Sequence, residues 1–238
     1  MKIALIGYGK MGRAIEEIVM QKGYSICLAI NSKNLYDLTK ANLQKADVAI
    51  EFSTPENAVN NILQCFDAGV PVVCGTTGWL NNLEKVKEIC NEQNGSLLYA
   101  SNFSIGVNIF FEVNKKLAEL MDEQNYDVII NEIHHTQKKD SPSGTAITIA
   151  EQIIQYLSDK KQWVNYESDK DEELSIISNR VDPAPGTHIV KYSSIVDAIE
   201  LIHTAHNRKG FALGAIQAAE FLKNKKGIFT MKDVLGIK

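Results

Sequence analysis

The chain is poor in the side chains that bind metals and form cross-links. Its four cysteines, Cys27, Cys65, Cys74 and Cys90, sit apart inside apolar runs. Without the close pairing that a zinc site needs, they read as buried free thiols in a reducing compartment. Histidines number only five, and none are spaced i, i+4, so no metal is expected. Positive charge is scarce as well: 25 Lys and Arg against 29 Asp and Glu leave a formal charge of -4. That balance gives no broad electrostatic footprint for nucleic acid or an anionic membrane, and an anionic small molecule would need a local basic site. No apolar run approaches the ~20 residues of a membrane span. The opening "MKIALIGYGKMG" holds an apolar run too short for a signal peptide. The expectation is a cytoplasmic globular protein. No internal repeat, low-complexity tract, G-x-S-x-G elbow or Cys–His signature is visible.

What is present is alternation. Over the first hundred residues short apolar runs ("KIALIG", "SICLAIN", "ADVAIEFS", "VPVVCG", "SLLYAS") are separated by amphipathic stretches such as "MGRAIEEIVMQKG" and "NAVNNILQCFDAG". This β-α order implies a parallel sheet with helices on both faces. From about Ser104 the pattern becomes α+β. A helix is read in "IGVNIFFEVNKKLAELM", a strand in "YDVIINEIHH" and a second helix in "SGTAITIAEQIIQYL", before alternating strands in "HIVKYSS" and "DAIELIHTAH". The polar stretch from Ser158 to Asn179 reads as a surface connection without chemistry. The last segment reads as a small-residue helix that returns to the first domain. The expected fold is α/β: a Rossmann-type parallel-sheet nucleotide domain, residues 1–104 plus 210–238, and a second α+β substrate and oligomerisation domain, residues 105–209.

Gly7, Gly9 and Gly12 form GxGxxG directly after the strand "KIALI" and at the opening of a helix. The first glycine permits a tight turn, the second lets the backbone approach a pyrophosphate, the third allows close packing, and the helix end supplies N–H groups. Lys10 and Met11 lie inside the same turn. The bland reading is a tight turn without a ligand. At the end of the second strand, where an acid that binds ribose is expected, stands Asn31. An asparagine can hydrogen-bond a 2′-hydroxyl without repelling a 2′-phosphate, and Lys33 close by would attract that phosphate. NADPH is therefore the expected cofactor, with NADH tolerated; Lys33 reads equally well as a solvated loop lysine. Further signatures stand at strand ends: "EFSTPEN", where Ser53 or Thr54 can cap a helix that begins at Pro55, then "CGTTG" and "ASNFSIGVN". In a parallel sheet these ends share one edge, which would bring Gly75, Thr76, Thr77 and Gly78 beside the glycine turn.

The segment "NEIHHTQKKDSPSGTA" follows a strand, so His134 and His135 should face opposite sides and play different parts. Ser143, Gly144 and Thr145 fall at the N-terminus of an amphipathic helix, where exposed N–H groups and the dipole can hold a carboxylate. Lys138 and Lys139 nearby suit an anionic substrate; an ordinary capped helix under a basic loop is the alternative.

Taken in order, GxGxxG, "CGTTG", "ASNFSIGVN", "EIHHTQKKDSPSGTA" and the C-terminal "IELIHTAHNRKGFALGAIQAAEFL" resemble the dihydrodipicolinate reductase family. The resemblance spans most of the chain and is weakest from Ser158 to Asn179. It implies NADPH- or NADH-dependent reduction of a cyclic imine dicarboxylate, 4-hydroxy-tetrahydrodipicolinate, in diaminopimelate and lysine synthesis by a homotetramer. It also implies that His134 is the general acid or its orienting neighbour and that Lys138 is the proton donor in a partly desolvated pocket. His135, Ser143, Gly144 and Thr145 would hold a substrate carboxylate, while Gly75, Thr76 and Thr77, with Ala100, Ser101, Asn102 and Phe103, would form the cofactor-facing loops. Two positions depart from the family pattern: Asn31 stands where many members carry an acid, and Asp182 where a glycine is common, beside Arg180, Gly186 and Thr187. Another dehydrogenase of small amino or keto acids and a noncatalytic NAD(P)-binding sensor are the competing readings.

Overall fold

The structure is a computed structural model that describes residues 1–207 and 209–237. Along the chain it runs β1 (Lys2–Ile6), α1 (Lys10–Gln21), β2 (Ser25–Ile30), α2 (Lys40–Leu43), β3 (Val48–Glu51), α3 (Pro55–Asp67), β4 (Val72–Cys74), α4 (Leu83–Glu92) and β5 (Ser96–Tyr99). It continues with α5 (Ile105–Met121), β6 (Asp127–His134), α6 (Gly144–Tyr156), β7 (Gln162–Val164), β8 (Glu173–Arg180), β9 (Thr187–Ser193) and β10 (Ala198–Thr204). It ends with α7 (Lys209–Leu222), β11 (Gly227–Phe229) and α8 (Met231–Leu235). Two compact units result, Met1–Ile105 with Lys209–Lys238, and Gly106–Arg208.

The first unit is a parallel six-stranded sheet in the order β11-β5-β4-β3-β1-β2. Its strands read as unbroken apolar runs because both faces are covered. Ile3, Leu5, Ile50 and Leu98 pack with Ile15 and Val19 of α1 and with Ala215, Ile216 and Leu222 of α7. The alternate residues Ala4, Ile6, Ala49 and Leu97 pack with Ile62 and Phe66 of α3 and Val86 of α4. The returning small-residue helix of the sequence reading is α7; the strand β11 after it, only three residues long, carries too little pattern to be read. Chain order reverses between β1 and β3, so a crevice for a ligand opens at the carboxyl ends of those two strands. Cys65, Cys74 and Cys90 are buried free thiols as read, whereas Cys27 is only half-buried.

The second unit is a mixed five-stranded sheet in the order β10-β9-β6-β8-β7. β6 runs parallel to β8 and antiparallel to β9. One face packs on α5 and α6 through Val128, Ile130, Ile176, Val190, Phe110, Phe111, Ile149 and Ile153. The segment from Ser158 to Asn179 is not the surface connection its charges suggested. It holds β7 and most of β8, with Leu174 and Ile176 fully buried. Its acidic and lysine-rich first half hides the short alternating run that forms the interior strand.

Candidate active site

In the first unit the glycine turn takes the conformation its residues demand. Gly7 has φ +96°, and a Cβ there would lie 2.0 Å from the Phe52 carbonyl oxygen, so only glycine fits. At Gly9 the space beside the backbone is open. The α1 N-terminus has no side-chain cap and no acid in its first turn, which leaves N–H groups and the positive dipole end available to an anion. A cleft of about 440 Å³ is lined by Gly7, Tyr8, Gly9, Asn31, Leu35 and Thr54 among others. A second, of about 460 Å³, has Gly9, Lys10, Met11, Gly75, Thr76 and Thr77 on its walls. Thr76, Thr77, Ala100 and Ser101 share a third, smaller one. This chain of clefts along one sheet edge fits a dinucleotide.

Three further expected cofactor residues do not line these clefts. Lys33 is exposed outside the cleft walls, and its backbone N–H donates to Asn31 Oδ1 (2.9 Å). Phe103 is a core residue, 2% exposed, edge-on to Phe52. Asn102 is buried, and its Oδ1 accepts from the Ser104 amide (2.8 Å). Behind the edge lies a carboxylate the sequence reading passed over, Glu51. It accepts hydrogen bonds from the Ser53 hydroxyl, the Ser53 amide (3.0 Å), Asn61 Nδ2 (3.3 Å) and the Cys74 thiol (3.1 Å). Burial, with Glu51 beside it, pushes the Cys74 thiol up, so this cysteine stays an unreactive thiol.

In the second unit β6 alternates as read. Val128, Ile130, Glu132 and His134 point inward, while His135 follows the strand end and is half-buried. Ser143 caps α6, its hydroxyl accepting from the Ala146 amide (3.2 Å). Gly144 is exposed with open space around it, and no acid occupies the first turn. The end of α6 can therefore receive a carboxylate. Lys138 is held by both Asp140 oxygens (2.9 and 2.8 Å) rather than standing as a lone desolvated ammonium. Burial raises the Asp140 carboxyl, but the Lys138 contact outweighs it and the net shift is downward. Asp182, the departure from the family pattern, accepts from the Thr136 amide and hydroxyl (3.1 and 2.6 Å) and so ties down the loop after β6. Gly186 lies against His134, for a Cβ there would sit 3.0 Å from His134 Nε2.

Around Glu132 the strands assemble a cluster that no local spacing announces. Ligand atoms of Glu132, His134 and His188 lie within 4.8 Å of one another. The Glu132 oxygens, however, already accept from the Ser143 amide and from Arg180 Nη2 (3.1 Å), so the set is built around a protein cation. Burial alone would raise Glu132, yet hydrogen bonds from Ser143, Ser178 and Arg180 lower it overall. Burial pushes both imidazoles down. His134 falls despite Glu132, and His188, also pressed by His134, falls to about 3. Both histidines are thus neutral beside an ionised carboxylate. A signal was available: Glu132 shares an inward face with His134 two residues later, and His188 begins the inward set of β9.

No helix among the described residues is long and apolar enough to cross a membrane. Arg208, inside the C-terminal stretch that carried part of the resemblance, lies outside the described residues. A protein of Christiangramia forsetii named 4-hydroxy-tetrahydrodipicolinate reductase is 52% identical over 238 residues, covering 99% of this chain and 98% of its own. One of the same name from Methanosarcina barkeri is 37% identical, covering 86% of this chain and 78% of its own. The solved dipicolinate-bound dihydrodipicolinate reductase of Paenisporosarcina sp. TG-14 shares the fold, with a TM-score of 0.78 over 97% of both chains at 23% identity. Residues 1–103 match the family described as dihydrodipicolinate reductase, N-terminus, and residues 106–235 its C-terminus. With both halves matched in order, the chain belongs to the dihydrodipicolinate reductase family.

Proposed function

We propose that this oxidoreductase reduces 4-hydroxy-tetrahydrodipicolinate to tetrahydrodipicolinate, with NADPH preferred and NADH accepted, in diaminopimelate and lysine synthesis. The observation that carries the reading is the second unit's anion site, where an open helix end at Ser143, Gly144 and Thr145 belongs to the same unit as the inward His134 and the Lys138 ammonium. In the first unit Gly7, Gly9, Lys10, Met11 and Gly12 would hold the pyrophosphate, Asn31 the ribose, and Gly75, Thr76, Thr77, Ala100 and Ser101 the nicotinamide half. When bound, the reduced nicotinamide supplies a hydride to an electron-poor ring carbon. The protein's own part is to fix the substrate carboxylates and deliver the accompanying proton. The α6 N–H groups and His135 fix a carboxylate, and His134 with Lys138 forms the proton-delivering pair. Asp140 keeps the Lys138 ammonium in place until an anion competes for it.

The reading extends to a cytoplasmic homotetramer. Ile199 and Ile202 of β10, with Ile195 and Val196 before it, are exposed apolar side chains on an edge strand, which a further copy would cover. The test is NADPH oxidation, followed by absorbance, with the substrate generated in place from pyruvate and aspartate semialdehyde by the preceding synthase. Oxidation that depends on the synthase is expected. Its absence, with NADPH still binding, would move the assignment to another dehydrogenase or a sensor.

A further inference from the structure

Glu132 is fully buried, yet it belongs to none of the groups that contact substrate or cofactor in the reading above. Its two oxygens gather four elements. The Ser143 amide at the head of α6 donates to both (3.1 and 3.2 Å), and Arg180 Nη2 at the end of β8 donates to Oε1 (3.1 Å). His134 Nδ1, on the same strand, is 3.4 Å from Oε2, and His188 Nε2 of β9 is 3.8 Å from it. The Ser143 hydroxyl also meets His188 Nε2 (3.2 Å). His134 Nδ1 and His188 Nδ1 are buried without a hydrogen-bond partner among the described residues. The two rings stand edge-to-face at 5.1 Å.

A buried carboxylate is costly unless paired, and here two donors pair it. Its placement does more than satisfy Arg180. By taking the Ser143 N–H, which precedes the first helical turn, it draws the start of α6 down while the Ser143 hydroxyl takes the Ala146 amide. Being anionic within ion-pair range of His134, it is the larger of two anions, Asp140 being the other, that offset burial and the cations Lys138 and Arg180 whenever that imidazole is protonated. The charged and titratable groups facing the cluster are Glu132 and His134 of β6, Lys138 and Asp140 of the loop, Arg180 of β8, His188 of β9 and, behind it, His203 of β10.

We propose that Glu132 is the positioning residue of this site, a single buried anion that seats the N-terminus of α6 and supplies the counter-charge against which His134 takes up and gives back a proton. The claim about turnover rests on the proposed reductase function, whereas the claim about His134 does not. Removing the charge leaves His134 facing Lys138 and Arg180 with only the Asp140 loop carboxylate to offset them, so its protonated form becomes harder to reach and proton delivery slows.

The experiment compares wild type with Glu132→Gln and Glu132→Asp by two readouts. Histidine ring NMR of the ligand-free chain follows His134, and steady-state kinetics give kcat, the two KM values and the pH profile. In Glu132→Gln the His134 midpoint is expected to move to lower pH, and kcat to fall about 10–100-fold, on the scale of impaired general acid catalysis. The dissociation constant for NADPH should stay within about twofold, because the nucleotide residues lie in the other unit. Glu132→Asp, which keeps the charge, should recover part of the loss. An unchanged His134 midpoint, or equal losses in both variants tracking only their thermal stability, would overturn the proposal. A shifted midpoint in a chain inert towards the substrate would instead sink the reductase reading and leave the counter-charge role standing. Should Glu132→Gln not fold, Glu132→Gln/Arg180→Gln also removes the half-buried cation that Glu132 would leave without its carboxylate. Full kcat in that pair would refute the role, and persistently low kcat in a folded pair supports it.

Discussion

A Cβ placed on Gly214 would come within 1.7 Å of the Phe103 carbonyl oxygen. Helix α7 thus crosses the loop after β5 at backbone distance, with Ala212, Ala215, Ala218 and Ala219 continuing the small-residue contact. Because the obstacle is backbone, Gly214→Ala should destabilise the first unit by about 1–3 kcal/mol or more, the range for overpacked interiors. Thermal unfolding measures this, and an unchanged midpoint would mean that α7 is not seated so closely.

Lys138 presents its charge to Asp140 within a loop ordered by Asp182 and Thr136. Lys138→Ala is expected to lower kcat by about 10²–10⁴-fold, the usual contribution of a positioned acid. NADPH affinity should persist, and fluorescence titration would check it. Unaltered kcat would leave proton delivery to His134 alone.

Asn31 turns its side-chain oxygen to the Lys33 amide on the wall of the cleft that also holds Gly7 and Gly9. Asn31→Asp places a carboxylate where a 2′-phosphate would come, so the kcat/KM ratio of NADPH to NADH should fall roughly tenfold, equivalent to about 1.4 kcal/mol of repulsion. An unchanged ratio would show that this position does not read the ribose.

The neutral His188 predicts an acid-sensitive second unit. Burial, and then His134, hold its pKa at about 3, whereas in the unfolded chain it returns to an ordinary value near 6.5. Between those values the unfolded chain binds more protons, so the stability is fully present above about pH 6.5 and is lost as pH falls towards 3. Glu132, also lowered on folding, adds a loss of the same sign below its ordinary value. Melting temperature should therefore drop between about pH 7 and about pH 5, and less so in His188→Gln. An equal drop in the variant would assign the acid sensitivity elsewhere.

Legibility in the sequence followed the range of the interactions. The glycine turn, the parallel strands and the Ser143 cap are local, and each is visible in fewer than about twenty residues. β8 was obscured because charge in the preceding loop dominates its window, and β11 because three residues make no period. The motif around Phe103 points to the cofactor edge, but nothing near it announces that its ring and carbonyl also meet α7, a helix more than a hundred residues later. Glu132, Arg180 and His188 belong to three strands, and only the register of β6 with β8 and β9 brings them together. Strand alternation could place Glu132 and His188 inward but not beside each other.

The closure of the first unit by residues 209–237 also bears on how the protein is made. A chain leaving the ribosome N-terminus first exposes Ile3, Leu5, Ile50, Val73 and Leu98 long before Ala215, Ile216 and Leu222 exist to cover them. The second unit is one continuous stretch and can be completed while the first still waits with one sheet face covered only by α1. Synthesis therefore passes through a window in which the nascent nucleotide sheet is the aggregation-prone part, and a stall before residue 209 would release the protein in that state.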